Sequence, residues 1–228
     1  APWSGGGCQV SWPRLPPMDA PPADIHSILP LSVLEAMRNL DSPSDEEAAE
    51  YVDELLKKRL GLSHTVAAQI ARYNLGVRRG QPVSASEFEQ ILRLGGRRPD
   101  AALVFADAGR RAARRSLSGL GALTRWGSRY LPRFLRRAIG FRAARRVLRD
   151  VFAVGLTREG AVTTAQVRHE LAVRATPGGF ACGFYAAGIA ELLRQLLSFD
   201  GAVVHPWCRV RGDERCEWRT TDAPARVA

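Results

Sequence analysis

Three cysteines and a histidine crowd the C-terminal end of this 228-residue chain, and they restrict what that end can fold into. Cys208 and Cys216 flank the run Arg209-Val210-Arg211-Gly212-Asp213-Glu214-Arg215. A hairpin turning about Gly212 sets the two cysteines opposite each other, with Cβ atoms about 4.5–5.5 Å apart. Two thiolates on one tetrahedral zinc ion need their sulfurs roughly 4 Å apart. The hairpin supplies that separation without strain. His205 lies three residues before Cys208, and in a regular strand the two would face opposite sides. Pro206 between them cannot donate a ladder hydrogen bond and favours a bulge or bend, which would turn both toward one ion. Cys182 falls in the first turn of a predicted helix, where the helix dipole favours a thiolate.

Cys182, His205, Cys208 and Cys216 are therefore the candidate metal ligands. Three thiolates and one imidazole suit zinc, whereas an iron–sulfur cluster usually takes four cysteines. Four protein ligands leave no position for water, so the expected zinc is structural and the chain leans away from being an enzyme. Two alternatives stay open at this level. One is a Cys208–Cys216 disulfide; the other is three small buried cysteines with His205 a solvated strand residue. The fourth cysteine, Cys8, stands far away in the chain.

Hydrophobic residues make up 46% of the chain, enough for a real core. No apolar run approaches the roughly 18 residues needed to cross a bilayer. The start, Ala1-Pro2-Trp3-Ser4-Gly5-Gly6-Gly7, lacks the basic-then-apolar layout of a secretory signal, so a cytoplasmic protein is expected. Net charge is +10, but lysine occurs only at Lys57 and Lys58. An arginine bias of that kind commonly reflects a GC-rich genome and a solvated basic face. The competing reading is a surface for acidic protein, lipid or nucleic acid through Arg110–Arg149.

Residues 1–25, rich in proline and glycine, are expected to be a disordered or extended tail. Residues 26–149 read as a helical part, arginine-rich from position 97. A helix is predicted over Asp45–Leu60, another from the cap Ser63 to Leu75 with Gly76 as its stop, and a third behind a Ser86/Glu89 capping box. Asp100 opens a helix through Ala113. The stretch Arg110–Arg149 reads as an amphipathic helix or hairpin broken at Gly127 and Pro132. After Asp150 the texture changes. Val151–Thr157 and Val162–Val173 read as strands about a turn near Glu159-Gly160, Pro177-Gly178-Gly179 opens a helix to about Leu197, and Ala202–Arg211 with Arg215–Thr220 form a terminal hairpin. Residues 150–221 are thus an α+β part carrying the metal site, and 222–228 a flexible tail. The fold class is α+β, with an N-terminal helical part packed on a four-stranded antiparallel sheet.

The segment from Gly178-Gly179-Phe180-Ala181-Cys182-Gly183-Phe184 through Cys208-Arg209-Val210-Arg211-Gly212-Asp213-Glu214-Arg215-Cys216-Glu217-Trp218 resembles the 4-vinyl-reductase-like domain. That family occurs in bacteriochlorophyll-synthesis proteins and in the sensor halves of regulators that respond to aromatic compounds. The resemblance implies a fold like that of TRAPP vesicle-transport subunits, often dimeric. It also implies zinc held by three cysteines and an acidic residue, whose place His205 takes here. A hydrophobic, aromatic or tetrapyrrole ligand between helices and sheet would follow, with Trp126, Tyr130, Phe134, Phe152, Phe184 and Tyr185 as candidate lining residues. A role in 8-vinyl reduction would need a hydride source, and the lack of a glycine-rich dinucleotide fingerprint favours a carrier over a reductase. A basic scaffold subunit of a larger complex is the remaining alternative.

Overall fold

The computed structural model describes residues 23–42, 63–119, 132–167 and 169–221, and the side chains of residues 133 and 134 are outside the description. The predicted helix over Asp45–Leu60, the break at Gly127, Cys8 and both tails beyond these bounds lie outside it too. Strand β1 (Asp24–His26) pairs antiparallel with β2 (Pro82–Ser84). The extended tail expected up to residue 25 therefore overshoots into a strand. Ile25, isolated among polar neighbours, carries no periodic signal, yet it is buried where it faces Val83. Helix α1 (Ile28–Asp41) follows at once and is apolar nearly all round, the mark of a helix enclosed by others.

Helix α2 (His64–Arg79) begins as expected, with the Ser63 Oγ accepting the Val66 N–H at 3.3 Å. It ends at Gly80, in the left-handed region at φ +65°, and not at Gly76. Gly76 instead sits inside the helix, where a Cβ would come within 3.1 Å of the Ser27 hydroxyl. Helix α3 (Ala85–Gly96) is capped by Ser84, which accepts from the Glu87 N–H, so the predicted Ser86/Glu89 box is displaced by two residues. The carboxylates explain the shift. Glu87 is taken by Tyr73 and Arg72, while Glu89 turns inward to Arg93 and Arg174.

Helices α4 (Ala101–Ser118) and α5 (Arg133–Phe152) carry the described parts of the arginine-rich stretch, and Pro132 stands at the start of α5 where a break was predicted. Arg98 joins Asp41 of α1 to Asp100 ahead of α4 through bonds of 2.7–2.8 Å, which fixes the corner between those helices. Strands β3 (Val154–Glu159) and β4 (Val162–Val167) flank Gly160, at φ +60°, matching the predicted turn. The second predicted strand is cut short, because Leu171–Ala175 forms a helical turn, α6. Leu171, Ala172 and Ala175 are buried at helical spacing, and that burial overrides the strand-like pattern before them.

Helix α7 (Cys182–Leu197) and strands β5 (Ala202–Trp207) and β6 (Glu217–Thr221) complete the order. The main sheet runs β3-β4-β6-β5, antiparallel throughout, so the α+β class with a four-stranded antiparallel sheet is observed. A single apolar cluster joins the helical part to the sheet, from Phe88 and Phe105 to Phe152, Phe184 and Trp218. Among the described residues no helix is long and apolar enough to cross a membrane.

Helices α4 and α7 approach closely because each offers a glycine. A Cβ on Gly109 would lie 2.1 Å from the Phe184 carbonyl oxygen and 2.9 Å from the Gly188 nitrogen, and one on Gly188 would lie 3.4 Å from the Gly109 carbonyl oxygen and 2.8 Å from the Phe152 ring of α5. Glu191 of α7, buried, ties the same pair by accepting from Arg114 of α4 at 2.8 Å and from Arg194 and Gln195 on its own helix. Burial opposes its ionisation, but Arg114, Gln195 and Arg194 outweigh that and hold its carboxyl below the usual range. The substitution Gly109→Ala is expected to lower unfolding free energy by about 1–3 kcal/mol through overpacking. Denaturant titration measures this, and an unchanged midpoint would contradict the close-approach account.

Candidate metal centre

The hairpin β5–β6 places three of the four donors, and it does so through one irregularity. Val204 pairs with Arg219, whereas the next pair along the hairpin is Trp207 with Glu217. Two residues, His205 and Pro206, thus oppose the single residue Trp218. The extra residue is a bulge at the proline, as the sequence predicts, and it reverses the alternation of the strand beyond it. His205 and Cys208, three apart, thereby come to one side. Continued by one step, the shifted register sets Cys208 opposite Cys216. The His205 ring is stacked on Trp218, with centroids 4.4 Å apart and planes 6° apart, so the indole fixes the imidazole's orientation.

Between the cysteines the chain departs from the predicted strand, which was to run to Arg211. Arg209–Arg211 form a 3-10 turn instead, ended by Gly212 at φ +92°. Asp213 closes this turn. Its carboxylate accepts the Cys208 N–H at 2.6 Å, while the Cys208 carbonyl accepts the N–H groups of Arg211 and Asp213 at 2.8 and 3.3 Å. The Arg209 N–H in this turn also helps to hold the Cys216 thiol low. A continued strand would have spent that N–H on a ladder.

Cys182, the first residue of α7, reaches the hairpin from the other side. The loop before it is tied by Thr176, whose carbonyl accepts the Gly179 N–H at 2.8 Å and whose hydroxyl accepts the Ala181 N–H at 3.1 Å. Gly179, at φ +76°, lies against Val210 in the turn. The helix start and the cysteine loop are thus docked on each other.

The result is a compact donor set. One ligand atom from each of Cys182, His205, Cys208 and Cys216 lies within 4.8 Å of every other, and the four could hold a metal ion. The three cysteines are buried and free, with the Cys182 and Cys208 sulfurs 3.9 Å apart. That separation is nearly twice a disulfide bond of about 2.05 Å, and it matches two thiolates on one tetrahedral zinc. The Cys208–Cys216 disulfide weighed from the sequence is not formed, because both cysteines are free. The Nε2 of His205 is buried without a hydrogen-bond partner, as befits a nitrogen reserved for a metal. On sulfur spacing, orphaned imidazole nitrogen and donor chemistry, the residues fit zinc.

Proton sharing within the set is uneven. The hydrogen bond from Cys182, joined by His205 and the Arg209 N–H, pulls the Cys216 thiol far below its ordinary pKa against the opposing effect of burial. The same interaction with Cys216, together with burial and the neighbouring sulfurs, pushes Cys182 up. The helix dipole alone suggests Cys182 as the thiolate, but its neighbours outweigh the dipole and hold its thiol protonated. Burial chiefly, then the charges of Cys182 and Cys216, keep the Tyr185 hydroxyl protonated.

The structure deals differently with the other candidates. Phe152, Phe184 and Tyr185 are fully buried, and their rings pack on one another at 5.8 Å (Phe152–Phe184) and 5.3 Å (Phe184–Tyr185). They stand in the core as neighbours. Trp126, Tyr130 and the side chain of Phe134 lie outside the described residues. Sequence reasoning missed Trp218 as the support of His205 and Asp213 as the cap of Cys208. An aspartate directly after the turn glycine was a usable signal for the latter. Nor does sequence spacing single out His169. His169 is buried 5.9 Å from the Tyr185 ring, and burial drives its pKa down to about 4 against the pull of the Phe152 carbonyl.

A histidine buried neutral withholds the proton that the unfolded chain takes up. Its stabilisation is whole above the unfolded pKa near 6.5 and is lost as pH falls toward about 4, by about 3 kcal/mol in all. The difference in unfolding free energy between His169→Leu and the parent protein is therefore expected to change across that window and to level off on either side. Proton competition for the cysteines is common to both proteins and cancels. A difference independent of pH would contradict the burial of a neutral imidazole.

No protein-family model, curated protein or solved structure matches this chain.

Proposed function

We propose that the chain is a zinc-stapled small-molecule-binding domain, a sensor or carrier for a hydrophobic, aromatic or tetrapyrrole ligand. The observation that carries the metal half is the convergence of three buried thiols and one orphaned imidazole nitrogen from a helix start, a bulged strand and a turn. When bound, zinc supplies cross-links between these elements. Cys182 ties α7 to the sheet, Cys208 and Cys216 close the turn, and His205 locks the bulge. With every donor coming from protein, the role is structural. The ligand half is supported by the resemblance of the Gly178–Phe184 and Cys208–Trp218 runs to the 4-vinyl-reductase-like domain. An imidazole where that family has a carboxylate keeps a donor that zinc accepts.

Elemental analysis of the purified protein is expected to give one zinc per chain, and Cys216→Ser to abolish it. Metal removal by a chelator should lower unfolding free energy by about 2.7 kcal/mol or more when free zinc had stood a hundredfold above its Kd. A metal-free protein with unchanged stability would refute the reading.

A second reading, a basic scaffold, is favoured by Arg136, Arg142 and Arg145, exposed on α5 without an acidic partner among the described residues. Under it, binding to a polyanion such as heparin or duplex DNA should weaken steeply between low and physiological salt. Binding indifferent to salt would remove it.

A further inference from the structure

At the far end of α7 from Cys182, a cleft of about 350 Å³ opens between α5, the end of α7 and the sheet. Eleven or more helical residues at 1.5 Å each separate its α7 wall from the cysteine, a distance of about 16 Å at least. Whatever enters it does not touch the metal centre. Its apolar wall is Leu193, Leu197 and Phe199, and its basic groups are Arg137 and Arg158. Neither arginine has an acidic partner among the described residues. Arg158 gives its Nε to the Gly160 carbonyl at 3.1 Å, which leaves its terminal nitrogens to other acceptors. The one acid on the lining, Asp200, is exposed.

We infer that this cleft binds a small amphipathic monoanion, a carboxylate carried on an aliphatic or aromatic body. The inference deepens the small-molecule reading and rests on it. Guanidinium groups present forked donors that match a carboxylate's two oxygens. Two arginines against one aspartate leave a surplus of a single positive charge, which favours a monoanion over a doubly charged phosphate. The leucine and phenylalanine side chains offer an apolar body the burial that an inorganic anion cannot use. The volume falls within the range of small-molecule sites and is too small for a folded partner. The packed rings of Phe152, Phe184 and Tyr185 leave this cleft, and not the aromatic core, as the place for such a ligand.

The test is calorimetric titration of the metal-bound full chain with sodium octanoate, 1-octanol, toluene and sodium phosphate. Octanoate is expected to bind saturably at one per chain, with octanol and phosphate each about tenfold weaker or worse. The double variant Arg137→Gln/Arg158→Gln should weaken octanoate by about tenfold, as removal of a charge-assisted hydrogen bond to the carboxylate requires. The control Arg78→Gln, exposed on α2 and absent from the cleft lining, should leave it unchanged, and circular dichroism confirms that both variants are folded. Octanoate binding that survives the double variant, or falls equally in the control, overturns the cleft assignment. Toluene binding without octanoate binding overturns it too, yet leaves the small-molecule reading standing. If none of the four probes binds, the cleft assignment falls, and a tetrapyrrole is the one ligand class left to the small-molecule reading.

Discussion

The extra residue at His205-Pro206 is the constraint on which the C-terminal half depends. Without it the strand would carry His205 and Cys208 on opposite faces, and Cys216 would face the wrong partner. With it, one register shift aligns an imidazole and two thiols, and the indole of Trp218 holds the imidazole in place. Proline is suited to this position because it has no N–H to lose from the ladder. The turn that follows is shaped for the same end. Gly212 accepts a left-handed backbone and Asp213 caps Cys208, so the backbone N–H of Arg209 is free to help hold the Cys216 thiol low.

That hairpin is only half of a site, and the helical layer brings the other half. Cys182 arrives where it does because α7 is pressed against α4 through Gly109 and Gly188 and tied there by Glu191 and Arg114. The start of α7 is then set on the hairpin by Thr176 and by the fit of Gly179 on Val210. Helix packing thus fixes the geometry of a donor that lies 26 residues from its nearest sulfur neighbour in sequence. In return, a metal ion shared by helix and hairpin would lock the two layers together. Stability and site geometry are therefore one property of this fold.

Much of this was legible in the chain because it depended on local chemistry. The Gly160 turn, the Ser63 cap, the helix opened near Gly179 and the bulge at Pro206 each follow from what one or two residues permit. Other features were set by distant partners and left no local trace. Ile25 became strand because Val83 lies opposite it. Leu171–Ala175 became helical because three of its residues bury together, and Glu89 was withdrawn from its predicted cap by Arg93 and Arg174. Of the candidate site, the four donors could be named from spacing and chemistry. Their support by Trp218 and Asp213 needed the register of β5 on β6. The aromatic residues named as ligand-lining could not be separated from core by composition, since a buried ring serves either purpose.

X-ray absorption at the zinc edge of the purified protein tests the central claim most directly, since it reads donor identity without a crystal. The account requires three sulfur neighbours at about 2.3 Å and one nitrogen at about 2.0–2.1 Å, with no bound water. A shell dominated by oxygen, or one containing fewer than three sulfurs, would contradict it.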